Sequence, residues 1–230
     1  MMFVLNFISD GDFPDPQQTL PDGLVCLSKR FTASMVLKAY RQGIFPWFRE
    51  GGFVHWYCPP QRMILYPGQL HISHSLKTLL NSKRFSVTVN RCFQQVITQC
   101  ARTHLRQKGS TWIDQAFVRV YSKLHELRKA LSIEVWQNDR LAGGLYGVVM
   151  GSMLCGESIF SQMPDAGKVA LVFLCRELPF TVIDCQVPSP FLEQMGGTRL
   201  PRKQFLQLLS QCLSEKDRWP EVSAVPAGNS

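Results

Sequence analysis

The sequence predicts an α+β protein: a small N-terminal α/β domain followed by a larger domain around a central, mainly antiparallel sheet. Three observations lead there. Apolar residues recur at helical spacing in several separate stretches, and the run from Ile133 to Phe160 reads instead as consecutive strands joined by tight turns. The two kinds of segment are interspersed along the chain. At 230 residues and 45% hydrophobic side chains, the chain can fill a large core, which excludes a disordered protein.

Residues 1–60 make the small domain. Thr32 is placed to cap a helix whose Met35, Val36, Ala39 and Tyr40 share one face, and Gly43 supplies its stop. Ile44-Phe45-Pro46-Trp47-Phe48 then reads as a surface loop. Phe53 to Tyr57 reads as a strand, ended by Cys58-Pro59-Pro60, where two prolines break any ladder and set the domain boundary.

The larger domain, residues 61–215, opens with a short strand from Met63 to Tyr66. Ser73 caps a helix carrying Leu76, Leu79 and Leu80, and Phe85 to Val89 alternates as a strand. Asn90 is read as the cap of a helix with Val96, Ile97 and Cys100 on one face. Arg102 to Lys108 reads as a polar, basic loop leading to Trp112. Phe117, Val120, Tyr121, Leu124 and Leu127 mark a long amphipathic helix. Ile133 to Trp136, a turn at Asn138-Asp139, and two apolar runs divided at Met150-Gly151 form the antiparallel meander. A helix from about Gly167 to Leu178, a strand from Thr181 to Cys185 and a helix after Pro201 complete the domain. Residues 216–230 read as a flexible tail.

Several classes are excluded. Met2 to Ile8 is apolar but lacks a basic flank, runs into Asp10 and Asp12, and is too short for a signal or membrane helix, which predicts a cytosolic protein. The eight cysteines sit singly in apolar runs and read as reduced, buried thiols rather than a disulfide framework. No Cys-x-x-Cys, no His-Glu-x-x-His and no histidine pair at helical spacing occurs, so no metal is expected. A net charge of +8, from 25 basic and 17 acidic side chains, suits a polyanionic partner or simply a solvated basic surface.

Two short segments carry chemistry. Glu157 is the one charged residue between Arg140 and Asp165, and a carboxylate in such surroundings costs several kcal/mol unless a cation or hydrogen-bond donors meet it. A structural Arg or Lys would satisfy it, and so would the amine of a substrate. Asp184 and Gln186 are two apart at a strand end, so their side chains are expected to face one reacting centre; a turn or capping pair is the plainer reading. Trp47, in the expected loop, and Trp112 suit stacking on an unpaired base or lining an apolar pocket, although most tryptophans fill cores. Lys77, Lys83 and Arg84 form a basic cluster that fits an RNA backbone or plain solvation.

Taken in order, the segments resemble the leucyl/phenylalanyl-tRNA-protein transferase family. The matching stretches are Ala39 to Phe48, Leu70-His71-Ile72-Ser73, Gly109-Ser110-Thr111-Trp112-Ile113, His125-Glu126-Leu127 and Ser132-Ile133-Glu134-Val135-Trp136. They continue with Gly143-Gly144-Leu145-Tyr146-Gly147, Cys155 to Ser161 and Ile183-Asp184-Cys185-Gln186. The resemblance implies a larger domain like that of the GNAT acetyltransferases. It implies transfer of Leu, Phe or in some cases Met from aminoacyl-tRNA to the α-amine of proteins beginning with Arg or Lys. That transfer marks the acceptor for degradation and needs no metal, nucleotide or other cofactor. Asp184 and Gln186 match the pair assigned to peptide-bond formation, and Glu157 an acidic residue of the same site. Trp47 and Trp112 match aromatic groups at the aminoacyl-adenosine pocket, Leu145 a residue lining the side-chain cavity, and Lys83 and Arg84 a basic cluster near the acceptor stem. The resemblance further implies that Asp184 attracts the cationic amine while the Gln186 carbonyl holds it toward the ester.

Two stretches depart from the family pattern. They are Gly23 to Arg30 and, after Gln186, Pro188-Ser189-Pro190-Phe191 with Met195-Gly196-Gly197, which leaves donor preference and acceptor contact open. An acetyl-CoA-dependent enzyme is the first rival, but Gln162 to Lys168 does not match the R/Q-x-x-G-x-G/A loop that would hold a pyrophosphate. A non-catalytic RNA-binding module is the second, and it leaves Glu157, Asp184 and Gln186 without a role.

Overall fold

A computed structural model describes residues 6–221 and 224–226. Its first part is a four-stranded sheet with one helix. Strand β1 (Asn6–Ile8) runs parallel to β2 (Leu24–Ser28), helix α1 (Ala33–Tyr40) follows, and β3 (Phe45–Glu50) and β4 (Phe53–Tyr57) give the spatial order β1-β2-β4-β3. The Thr32 hydroxyl accepts from the Met35 amide at 3.3 Å and so caps α1, and Met35, Val36, Ala39 and Tyr40 are all buried.

Residues 45–50 are a strand, which corrects the surface loop expected there. Ile44 and Phe45 are buried, and this burial holds the segment against β4. Pro46 is tolerated because β3 is an outer strand with a bulge between Pro46 and Phe48, where a missing N–H breaks no inner ladder.

After Cys58-Pro59-Pro60 the second part begins with β5 (Gln61–Leu65), α2 (His74–Asn81), β6 (Ser86–Val89), α3 (Phe93–Lys108) and α4 (Gln115–Glu126). The meander is β7 (Ala130–Gln137), β8 (Arg140–Met150) and β9 (Met153–Ser161). The chain then forms α5 (Ala166–Glu177), β10 (Val182–Gln186), α6 (Pro190–Gln194), β11 (Thr198–Pro201), α7 (Arg202–Leu213) and β12 (Ala224–Pro226). These strands make one sheet in the order β11-β5-β10-β9-β8-β7-β6-β12, antiparallel at every neighbouring pair except β9 and β10. The fold is therefore α+β with a mainly antiparallel central sheet, as the sequence predicts.

Both faces of this sheet are covered, so its inner strands are apolar on both sides. Along β8, Tyr146, Val148 and Met150 join the core shared with α1, α3, α4 and the small sheet. Leu145 and Val149 face the opposite core, built on α2 and α5. The alternation is the period-two geometry of a strand.

Asn90 does not cap α3. It turns the chain with φ 60° and its Oδ1 accepts from the Ser132 amide at 3.0 Å. The α3 terminus is instead met by the fully buried Glu134, whose carboxylate accepts from the Arg91 and Cys92 amides at 3.3 Å each. The Thr88 and Ser132 hydroxyls complete that set at 2.6 Å. The helix also continues through 102–108, expected as a loop, and stops at Gly109 with φ 70°. That stretch holds no Pro or Gly, so its polarity marks an exposed helix face rather than a break.

The start of the expected tail is anchored. Asp217 accepts from Lys129 at 2.5 Å and from the Gly151 amide at 2.8 Å, Arg218 donates to the Pro179 carbonyl at 2.6 Å, and Ala224–Pro226 pairs with β6. The Gly151 carbonyl also accepts from the Arg218 amide at 2.9 Å, so both backbone groups of Gly151 in the β8–β9 turn find partners, which the tail's polar composition conceals. Gly151 itself turns with φ 61°, and a Cβ there would lie 1.9 Å from the Cys212 carbonyl oxygen. Gly151→Ala should lower stability by more than about 1 kcal/mol, read as a drop in the urea midpoint. No helix among the described residues is long and apolar enough to cross a membrane.

Candidate active site

The one parallel strand pair creates the site. β9 and β10 pair from Val182↔Met153 to Asp184↔Cys155, yet β9 continues to Ser161 while β10 ends at Gln186. Beyond the last pair lies a cavity of about 190 Å³, walled by Leu145, Ile159, Leu174, Ile183 and Phe191, with Glu157 at its polar edge.

Glu157 is nearly buried, and no cation among the described residues meets it. Its Oε1 accepts from the Tyr40 hydroxyl and, at 3.3 Å, from Gln186 Nε2, while Oε2 accepts from the Tyr121 hydroxyl at 2.9 Å. Burial pushes its pKa up to about 7, against the opposing pull of the Tyr40 and Tyr121 hydrogen bonds. Burial first, and then the Glu157 charge, raises both phenols well above their ordinary value, so they act as donors.

The buried cation of this region pairs with Asp184 rather than Glu157. Arg62, from β5, donates through Nε to Asp184 Oδ1 at 2.8 Å and through Nη2 to Oδ2 at 2.6 Å, and both side chains are buried. Its third donor, Nη1, reaches the Gly43 carbonyl at 3.1 Å. The guanidinium lies between the rings of Phe45 and Phe205, 4.7 and 4.3 Å from their centroids. Arg62 thus ties the small sheet and α7 to the strand that ends at the site.

This geometry corrects one expectation. Asp184 and Gln186 do not face a single centre, because the β5–β10 register shifts between them and Gln186 adopts φ 63°. A left-handed residue with a Cβ costs roughly 1 to 2 kcal/mol. The Asp184 carboxylate holds it there by accepting from the Gln186 amide at 2.9 Å. Asp184 therefore faces inward onto Arg62, fully enclosed, and cannot itself meet an incoming amine. Gln186 turns toward Glu157, and its Nε2 also donates to the Tyr40 oxygen at 3.3 Å. With the amide nitrogen so engaged, the carbonyl oxygen is left to accept from something else.

The other expected residues are placed unevenly. Leu145 lines the cavity. Trp112 is half-buried and stands edge-on to Phe117, which stacks on Tyr121, so it adjoins the Glu157 cluster through two rings. Trp47 is half-buried and packs edge-on against Tyr57, 4.8 Å between centroids, away from the cavity walls. Lys77, Lys83 and Arg84 are exposed on α2 and just after it, and none lines the cavity.

Three further residues complete the site, and local sequence pattern does not single them out. Tyr40 and Tyr121 belong to apolar helical stripes whose spacing reads as core, although a buried phenol usually finds a hydrogen-bond partner. Arg62 was a charge inside an apolar strand, the same signal that drew attention to Glu157. All eight cysteines are free, and no group of three or more His, Cys, Asp or Glu among the described residues could hold a metal ion.

A family profile described as leucyl/phenylalanyl-tRNA protein transferase matches residues 64–210, and the profile for its N-terminal domain matches residues 29–60. A leucyl/phenylalanyl-tRNA-protein transferase of Tolumonas auensis is 44% identical over 204 residues, covering 86% of this chain and 87% of the relative. That of Flavobacterium psychrophilum is 40% identical over 202 residues, covering 86% and 96%. Among solved structures, the crystal structure of FemX superposes with a TM-score of 0.47 at 14% identity, over 75% of this chain and 69% of that one. On the extent of these sequence matches, the chain belongs to the leucyl/phenylalanyl-tRNA-protein transferase family of aminoacyltransferases.

Proposed function

We propose that the protein transfers Leu or Phe, and in some cases Met, from aminoacyl-tRNA to the α-amine of proteins that begin with Arg or Lys, in the cytoplasm, marking them for degradation. The observation that carries this reading is an apolar cavity with the Glu157 carboxyl in its wall, to which the Gln186 side-chain amide is hydrogen-bonded. The cavity takes the apolar side chain. The polar end receives the ester and the amine.

In this reading the acceptor's α-ammonium, with an ordinary pKa of about 7.7 to 8.0, gives one proton to Glu157, whose own value near 7 is matched to it. The free amine is held by the Gln186 carbonyl and attacks the ester carbon. As the C–N bond forms and the C–O bond to the ribose breaks, the second proton leaves nitrogen for the ribose oxygen. Asp184 acts behind this step, as the anchor of Gln186. The ester already carries the energy, so no cofactor is required. Trp47 and Trp112 serve the adenosine end of the donor, and Lys77, Lys83 and Arg84 the acceptor stem.

The experiment is transfer from Leu-, Phe- and Met-tRNA to a protein with an N-terminal Arg, with Gln186→Ala as control. Transfer of at least one residue type by the wild type, and loss of it in Gln186→Ala, is expected; no transfer of any of the three overturns the reading. Leu145→Trp should fill the cavity and lower Phe transfer more than Leu transfer, because Phe needs the greater volume. A single methylene is worth only about 1 to 3 kcal/mol in such a pocket, so preference should shift rather than switch.

A further inference from the structure

A second cleft shares two walls with the cavity. Ile159 and Phe191 line both, and the cleft continues past Ser161, Lys168 and Thr103. Next along the surface, a concave face is lined by Gln99, Arg102, Leu105, Arg106 and Gln162, the last following Ser161 and Arg102 preceding Thr103. One track therefore leads from the apolar cavity to the outer side of α3.

Three features of the track are unexplained by the fold. Arg102 and Arg106 are exposed, four apart on one helix face, and neither has an ion-pair partner among the described residues. Like charges at that spacing repel by roughly 0.2 to 0.5 kcal/mol, and α3 contains no Asp or Glu to offset them. Proximity to the helix C-terminus favours cations there, but would do so equally without a concave face. The Thr103 hydroxyl is buried, lines the cleft and has no hydrogen-bond partner, a state that costs roughly 1 to 3 kcal/mol. Asp165, the one acid in the cleft, is neutralised by Lys168 at 2.7 Å.

We propose that this track carries the single-stranded 3′ end of the donor RNA, with Arg102 and Arg106 on its phosphates and Thr103 on a backbone oxygen. The inference rests on the proposed function, since it assumes that the cavity holds the aminoacyl group. An acceptor beginning with Arg or Lys is cationic and is repelled by the same face, so the polyanion is the fitting occupant. Arginine's planar donors suit phosphate.

The test compares two donors, Phe-tRNA and phenylalanyl-adenosine, which ends before the first phosphate. In Arg102→Gln/Arg106→Gln, the ratio of kcat/KM for Phe-tRNA to that for phenylalanyl-adenosine should fall at least tenfold. The salt slope of tRNA binding should fall by about 1.4, since each single-strand phosphate contributes about 0.7. Arg102→Lys/Arg106→Lys keeps the charge and should recover most of the ratio. An unchanged ratio and slope, or an equal loss with both donors, overturns the proposal. If the wild type transfers from neither donor, the failure lies with the proposed function itself.

Discussion

Replacing Glu157 by Gln should slow transfer by about 10² to 10⁴, the usual range for loss of a positioned proton acceptor, with little change in tRNA affinity. The substitution keeps the shape of the site and an acceptor for one tyrosine, so the cavity survives. What disappears is a carboxyl that burial holds near 7, where it exchanges protons readily with an α-amine. Stability carries the same signature. An ordinary carboxyl of this kind titrates near 4.5, so between that value and about 7 the folded protein keeps a proton that the unfolded chain has released. Wild-type stability relative to Glu157→Gln should therefore fall as pH rises through that window, by on the order of 3 kcal/mol, and level off above it. Urea titrations of both proteins at the two ends of the window read this out.

Arg62→Met should destabilise the protein by about 3 to 5 kcal/mol, because it leaves the Asp184 charge enclosed without a counter-ion. Met suits the slot between Phe45 and Phe205, so lost packing is a minor part of the effect. Arg62→Met/Asp184→Leu removes both charges and should regain most of the stability, as buried ion pairs replaced by apolar side chains commonly do. Transfer should nevertheless remain low in the double variant. Without the Asp184 carboxylate, the Gln186 amide loses its acceptor and nothing holds the residue at φ 63°. A double variant that is stable and fully active would show that Gln186 is placed by something other than Asp184.

Local signals in the sequence agree with the structure. Thr32 and Ser73 cap their helices through their own hydroxyls, and the meander turns at Asn138 and Asp139, both at positive φ. The strand Phe53–Tyr57 and the apolar faces of α1 and α4 also follow from spacing alone. Pairings distant in sequence were not legible. Arg62 and Asp184 are 122 residues apart, and Tyr40 and Glu157 are 117 apart, so neither partner advertises the other. Edge strands were missed for a related reason. β3 and β11 lack clean alternation, and their assignment depends on the neighbour they join; the inner β2 is buried at every position and shows no alternation either. At the site, the sequence supplied Glu157, Asp184, Gln186 and Leu145, while the bulge after Asp184 turned an expected pair into an inner anchor and an outer contact.

The most direct test is the single-turnover rate of transfer from Phe-tRNA to a protein with an N-terminal Arg, followed from about pH 5.5 to about 8.5 in wild type and Glu157→Gln. The variant needs an acceptor amine that is already free, so its rate rises up to the amine's own pKa of about 7.7 to 8.0, whereas the wild type takes that proton onto Glu157 and its rate levels off above about 7. The ratio of wild-type to variant rate should therefore hold level below about 7 and fall severalfold between about 7 and about 8.5. A ratio that stays constant across the range would contradict Glu157 as the proton acceptor.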